Sequence, residues 1–259
     1  MSKSKVALWM GFLFILSFSP VLLHAQNPEI INGDTLNYTD NNGLKQGKWR
    51  EVMGNVVLTG DYTNGERDGI WVTYHSNDMI NKIENWKNGK KNGPSIVLDQ
   101  RGSIVQEAEY RYDGYHGAYK EYVNGKVAKL ITYKYGVQNG EFKMYYTNGK
   151  LQEESTYKDG VKDGASRWFT QEGNIVAEYH YKDGQLHGVQ KTYFPGGQLM
   201  TEESYKDNVQ EGAYIEYYEN GKVHIQGTNT NGKQEGEWKE YDDAGKVVKT
   251  VKYKGGVPK

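Results

Sequence analysis

The chain has 259 residues, 32 Lys and Arg against 33 Asp and Glu, and no cysteine. Near-neutrality argues against a nucleic-acid partner, whose phosphates call for a basic stripe. The lack of cysteine excludes disulfides, and 13% aromatic residues are too many for a disordered chain.

Residues 1–25 read as a secretory signal peptide. Lys3 and Lys5 give a basic start, residues 6–23 are almost entirely apolar, and Leu23-His24-Ala25 offers a small-residue cleavage site. The rival is an uncleaved anchor, since about 18 apolar residues can just span a bilayer. Ser17, Ser19 and Pro20 within the run and Ala25 at its end favour cleavage. The expected location is therefore outside the cytoplasm, in a periplasm, on an outer surface or secreted, with no transmembrane span left after cleavage. No Cys follows Ala25 to carry a lipid, and the mature chain keeps 30 basic and 33 acidic residues, a net charge of −3.

Residues 26–46 form a polar lead-in. Asn32-Gly33 suggests a turn and residues 35–39 a first strand, which would cap the N-terminal end of the fold. The charged segment 252–259 is the corresponding candidate at the other end.

From Gly47 onward one unit of about 24 residues repeats. Its opening glycines are Gly47, Gly69, Gly93, Gly117, Gly140, Gly164, Gly188, Gly212 and Gly236. Self-similarity at a fixed period of this length is the signature of a repeat array. Each unit carries two turn signals. One glycine lies four residues before the next opening glycine, as in Asp159-Gly160. The other lies fifteen before it, at Gly125, Gly149, Gly173, Gly197, Gly221 and Gly245 among others. Asn-Gly at such positions suits the positive φ of primed hairpin turns. Two turns per unit leave two strands of about six residues and no room for a helix.

The strand after the second turn starts with an apolar residue and has an aromatic six positions later, as in Leu151 and Tyr157. An even spacing puts both on one face. The other strand reads Gly-x-aromatic-x-x-Tyr. Phe142 and Tyr145 are three apart, so either both faces carry aromatic columns or a bulge brings them together. Ser95, Ser166 and Gln190 interrupt the first of these columns. The first copy is two residues short and the Gly117 copy one short, both ahead of the second turn. The expected fold is all-β: an elongated antiparallel meander of about nine 24-residue hairpins, residues 47–259, in a single twisted, curved sheet. Nine units at ~4.8 Å per strand would span about 85 Å.

The pattern Y-x-D/N-G-x-x-x-G-x-W/F/Y-x-x-Y resembles the MORN repeat variant common in bacterial proteins. Residues 157–164 (YKDGVKDG) and 181–188 (YKDGQLHG) come closest, and the resemblance runs from about residue 33 to 259. It implies a curved sheet of hairpins. Many proteins with this repeat are labelled antitoxin components of YwqK type, and eukaryotic relatives are often called scaffolds or membrane-contact modules. Choline-binding cell-wall repeats are a weaker comparison, because none of the six Trp here follows a Gly.

No catalytic constellation emerges. His75, His116, His180, His187 and His224 are not at metal-ligand spacing. No phosphate loop of the Gly-x-x-x-x-Gly-Lys-Ser/Thr kind is present. Adjacent acids such as Glu153-Glu154 point apart on a strand. No catalytic residue, metal or cofactor is expected. A Lys/Arg column (Arg50, Lys120, Lys143, Arg167, Lys191, Lys239) suggests cross-strand charge pairing. The expected function is that of a non-catalytic exported scaffold binding another protein. One alternative is binding of a glycan or cell-envelope polymer through the aromatic row Tyr74, Tyr122, Tyr145, Tyr193, Tyr217 and Tyr241. Another is an antitoxin or immunity role.

Overall fold

The computed structural model describes residues 29–31 and 34–259. The signal-peptide segment and the Asn32-Gly33 turn lie outside the described residues. A short hairpin of Glu29–Ile31 and Asp34–Leu36 precedes Tyr38–Thr39, which pairs with the start of Lys45–Met53. From there to Val257–Pro258 each strand pairs with its sequence neighbours, always antiparallel. Among the described residues no pairing joins Val257–Pro258 back to Tyr38–Thr39, so the sheet is open. The described residues are all-β, with one twenty-strand meander when the two pieces Gln185–Leu186 and Gly188–Tyr193 are taken as one interrupted strand.

The strands are longer than the turn signals suggest. Val161–Phe169 has nine residues and Leu151–Lys158 eight. The opening glycine is the reason: it lies inside its strand, at a bulge. Tyr157 pairs with Lys162 and Ser155 with Ser166, so two extra residues are accommodated around Asp163-Gly164-Ala165. The equivalent Gly140 has φ +115°, and a Cβ there would lie 3.1 Å from Thr132. Glycine is needed at this point on both counts.

The two turns differ in kind. In the first, both central residues have positive φ, as in Asn64 (51°) and Gly65 (81°), which is a type I′ turn. Its second residue donates its N–H to a carbonyl in the preceding unit. Gly65 reaches Lys45, Gly89 reaches Arg67, Gly160 reaches Gln138 and Gly256 reaches Gln234, all at 2.9 Å. Side chains reinforce this edge: Asp163 Oδ2 accepts from Asp183 N–H, Glu211 Oε2 from Asn231 N–H and Glu235 Oε2 from Gly255 N–H.

The second turn departs from the primed-turn expectation in most units. Gly149 has φ +89° but Asn148 is not among the positive-φ residues. The N–H of Gly149 bonds to the Tyr146 carbonyl, and that of Tyr146 to the Lys150 carbonyl. Asn148 is there for its side chain. Its Oδ1 accepts from Lys150 N–H, and its Nδ2 donates to the Gln171 carbonyl in the next unit. Asn220 does the same between Lys222 and Asp243. The short copies take tighter turns. Asn124-Gly125 is a two-residue type I′ turn, and in the second turn of the first copy Gly54 has positive φ while Asn55 does not. That copy also lacks the bulge found beside the second turn elsewhere, which accounts for its second missing residue.

This second bulge decides which side chains share a face. Glu153 pairs with Met144 and Leu151 with Tyr145, so Gln152 is extra. Leu151 therefore lies on the face opposite Tyr157, contrary to the expectation from even spacing. The strand carrying Phe142 and Tyr145 is itself regular over that stretch, so these two point to opposite faces. Both faces carry an aromatic column.

One face is packed. It holds Trp49, Trp71, Ala108, Ile131 and Ala177, the buried apolar residues among those described, with Ser95, Ser155, Ser166 and Gln190. Ring contacts run Trp49–Tyr62 (5.6 Å), Tyr62–Trp71 (5.1 Å), Tyr115–Tyr119 (5.2 Å) and Trp238–Tyr253 (6.3 Å). Lys45 lies over Trp49, Arg67 over Trp71, Lys91 over Trp86 and Tyr110, and Lys162 over Trp168, at 4.0–5.8 Å. Large residues sit beside small ones. A Cβ at Gly60 would fall 2.4 Å from the Trp71 ring, and one at Gly227 2.2 Å from Trp238.

The interruptions of the first aromatic column follow the same logic. Trp71 and Trp238 donate their indole N–H to the carbonyls of Asp61 and Thr228. The equivalent carbonyl beside Gln190 belongs to His180, and Gln190 Nε2 donates to it while Oε1 accepts from His180 N–H. The amide takes over the indole's bond. At Ser166 the ring comes from Trp168 instead, set edge-on to Tyr179 at 5.2 Å.

Candidate functional site: the charged face

The other face carries the cation column and the second aromatic column. Because side chains alternate, Lys120 and Tyr122 share it, and the register adds Glu107 from the neighbouring strand. Glu107 accepts from the Tyr122 hydroxyl at 2.7 Å and from Lys120 Nζ at 3.4 Å. Burial, then this hydrogen bond to a carboxylate, pushes the Tyr122 hydroxyl up to about 12. Tyr217 likewise donates to Glu202, which also pairs with Lys191 at 3.1 Å. Gln226 Nε2 donates to the Tyr241 hydroxyl.

The densest cluster is around Arg167. Its guanidinium donates to Glu178 through Nε and to Glu154 through Nη1, the latter at 3.1 Å. The Arg167 hydrogen bond holds the Glu178 carboxyl below the usual glutamate range, against the opposing effect of burial. The same two acids, Glu178 first, raise Arg167. The charge column is thus largely self-neutralised, as cross-strand pairing predicts.

All six residues of the proposed aromatic row, Tyr74, Tyr122, Tyr145, Tyr193, Tyr217 and Tyr241, stand on this face and are half-buried. The structure brings them into one line at roughly 10 Å per unit, with Leu98 standing between Tyr74 and Tyr122 and Phe169 between Tyr145 and Tyr193. The turn glycines Gly125, Gly149, Gly173, Gly197, Gly221 and Gly245 all have positive φ, between 73° and 95°, along one side of the sheet. The histidines are dispersed. His75 contacts the Leu98 carbonyl and His224 contacts Glu216 on the packed face. Among the described residues no group of His, Asp and Glu is placed to hold a metal ion.

Clefts on this face have no counterpart in the sequence pattern. One of about 250 Å3 lies between Arg50, Asp61, Ile70 and Val72. A second, about 310 Å3, is lined by Pro94, Ile96, Glu107, Glu109, Ala118 and Lys120. A third, about 150 Å3, is lined by Glu141, Lys143, Glu154, Thr156, Ala165 and Arg167. The three occupy equivalent positions in the first, third and fifth units, four strands apart, or about 19 Å. Each is floored by a return strand and walled by the opening strands on either side. Where the residue after the opening glycine is Ala118 or Ala165, the wall is low. The available signal was that small residue, read together with the face assignment.

A family model described as MORN repeat variant matches residues 67–88, 138–159, 162–183, 186–207, 210–228 and 234–254. The chain belongs to the MORN repeat variant family. The matched stretches begin at the residue two before the opening glycine, or close to it, so the family's unit and the structural unit are in register. No curated protein matches. Among solved structures, crystal structures titled TcdB2-TccC3-Cdc42 and TcdB2-TccC3 match 84% of this chain at 14% identity and a TM-score of 0.18. The chain spans only 15% and 16% of the length of those chains. At that TM-score the likeness carries no weight for fold or function.

Proposed function

We propose that this MORN repeat variant chain is an exported, non-catalytic scaffold that binds another protein across its charged face. The observation that carries this reading is the recurrence of one cleft at equivalent positions in alternate units. A single cleft would suit a small ligand. A row of shallow ones, about 19 Å apart and rimmed by paired charges, suits an extended protein surface meeting several points at once. The packed face supports the division of labour, since its side chains are engaged in ring and cation contacts with one another. Export rests on the composition of residues 1–25.

The test is comparative co-purification from the envelope fraction of the native source. Lys120→Ser with Lys143→Ser alters two cleft rims on the charged face, and Lys129→Ser alters a cation on the packed face. The first variant is expected to lose a partner that the wild type and Lys129→Ser both retain. Equal recovery by all three would remove the charged face as the binding surface.

The alignment of the six tyrosines on this face favours a second reading, stacking on the sugar rings of an envelope glycan. Their half-burial and the engaged hydroxyls of Tyr122, Tyr217 and Tyr241 weigh against it. An immunity role against a co-encoded toxin is a special case of protein binding and would use the same surface.

A further inference from the structure

Asn-Gly pairs recur through this chain, and they are its most reactive backbone links. The glycine nitrogen can attack the asparagine Cγ, because a glycine carries no side chain to obstruct the approach. The attack needs a free glycine N–H and a backbone able to swing that nitrogen onto Cγ. A hydrogen bond from the N–H, or pairing within a strand, opposes both. Most of the pairs are held in one of these ways. The N–H groups of Gly65, Gly89 and Gly232 donate to the carbonyls of Lys45, Arg67 and Gln210, two strands back. Those of Gly149 and Gly221 donate to Tyr146 and Tyr218, and that of Gly43 to Asp40. Gly93 and Gly140 are half-buried inside strands, in register with Tyr110 and Tyr157.

Asn124-Gly125 differs. Among the described residues nothing bonds to the Gly125 N–H or to the Asn124 side chain. Both residues are exposed, and a Cβ at Gly125 would meet nothing within 4 Å. The cause is length. The unit that opens at Gly117 is one residue short, so Val123 pairs with Lys126 and the turn has only two central residues. The longer turn at Asn148 folds the Gly149 N–H back onto Tyr146, and its asparagine reaches both Lys150 and Gln171. The short turn has no inner carbonyl to offer Gly125. The two-residue turns on the opposite side of the sheet solve the same problem with a carbonyl from two strands back, and here no such carbonyl is in reach. Opening this hairpin tip therefore breaks no bond to a neighbouring unit.

We propose that Asn124 is a site of spontaneous deamidation, selected by the short unit in which it stands. Gly125 N gives its proton to solvent hydroxide and bonds to Asn124 Cγ. The bond from Cγ to the side-chain nitrogen breaks, and that nitrogen leaves as ammonia with a proton from water. Water then opens the succinimide at either carbonyl, giving aspartate or isoaspartate with no change of oxidation state. Either product places a negative charge at the hairpin tip, two residues from Tyr122. Isoaspartate also adds a methylene to the backbone there. The reaction is independent of partner binding and uses only solvent.

The full chain is incubated at mildly alkaline pH in heavy-oxygen water, once folded and once in urea. Peptide mass spectrometry then follows each Asn-Gly pair, with electron-transfer fragmentation to separate aspartate from isoaspartate. In the folded chain Asn124 is expected to react faster than Asn64, Asn148 and Asn231 by on the order of fivefold or more, the effect of the hydrogen bond those sites keep. In urea the four are expected to react at similar rates. Inserting a threonine between Val123 and Asn124 restores the length of the Asn148 turn and leaves the reacting pair unchanged. It is expected to slow Asn124 to the rate of Asn148. Asn124→Gln is expected to abolish the modification with an unchanged melting curve. Equal rates at Asn124 and the bonded sites of the folded chain overturn the proposal. The same order of rates in urea also overturns it, since sequence and not the short turn would then be the cause. Should the inserted chain not fold, the comparison of folded and urea-treated wild type decides alone.

Discussion

Gly60 shows how closely the packed face is fitted. It is not among the positive-φ glycines, so its requirement is steric: the Trp71 ring occupies the space a Cβ would need. Gly60→Ala is expected to destabilise the chain by about 1–3 kcal/mol by overpacking. A double-mutant cycle with Trp71→Leu checks the cause, since the alanine's cost should fall sharply once the indole is gone. A cost unchanged in the Leu background would mean that ring contact is not the reason for glycine. Gln190 is a matching case in polar chemistry, an amide making the bond that an indole makes two or more units away.

The Arg167–Glu178 pair makes a pH-dependent prediction at the same scale. Glu178 is held below its usual range in the fold, so its contribution is present above the unfolded value of about 4.3 and disappears as pH falls through the folded value. Glu178→Gln is therefore expected to be less stable than wild type at neutral pH, with the two denaturation midpoints converging in acid. A gap that stays constant from neutral pH down to the acid limb would contradict this. The pair is partly solvent-accessible, so screening by salt should shrink the neutral-pH gap as well.

At the scale of the element, the unit is a hairpin tied to its neighbour by type I′ turns on one side and by asparagine bridges on the other. Removing residues 164–187 joins Asp163 to Gly188 and preserves every local relation, so a shorter folded array is expected. Circular dichroism and a single cooperative melt would check it, and a β-signal lost altogether would show that the units are not interchangeable. Period, turn positions and fold class were legible because glycine and asparagine mark backbone conformations directly. Which residues share a face was not, because faces depend on bulges. The extra residue at Gln152 reverses the parity between Tyr157 and Leu151, and nothing in the identity of glutamine announces it. The length differences did encode it: the first copy lacks this bulge and is shorter for that reason. The aromatic row was legible as a row, whereas the clefts depend on three strands coming together and leave only Ala118 and Ala165 as traces.

For the whole molecule, an open single-layer sheet has two faces to dispose of. This chain uses one for rings, cations and small residues packed in the plane. It gives the other paired charges, half-buried tyrosines and periodic clefts. On the proposed reading, cleft-rim substitutions such as Lys120→Ser should change partner affinity with little effect on folding, whereas Glu178→Gln on the same face also removes a stabilising ion pair. The most direct measurement places a photo-crosslinking residue at Ala118 or Ala165 on the charged face, or at Lys129 on the packed face, in the full chain within cells of its native source. The expected result is a discrete cross-linked protein from Ala118 and Ala165 and none from Lys129. Cross-linking from Lys129 alone, or from all three positions equally, would contradict the assignment of the charged face as the binding surface.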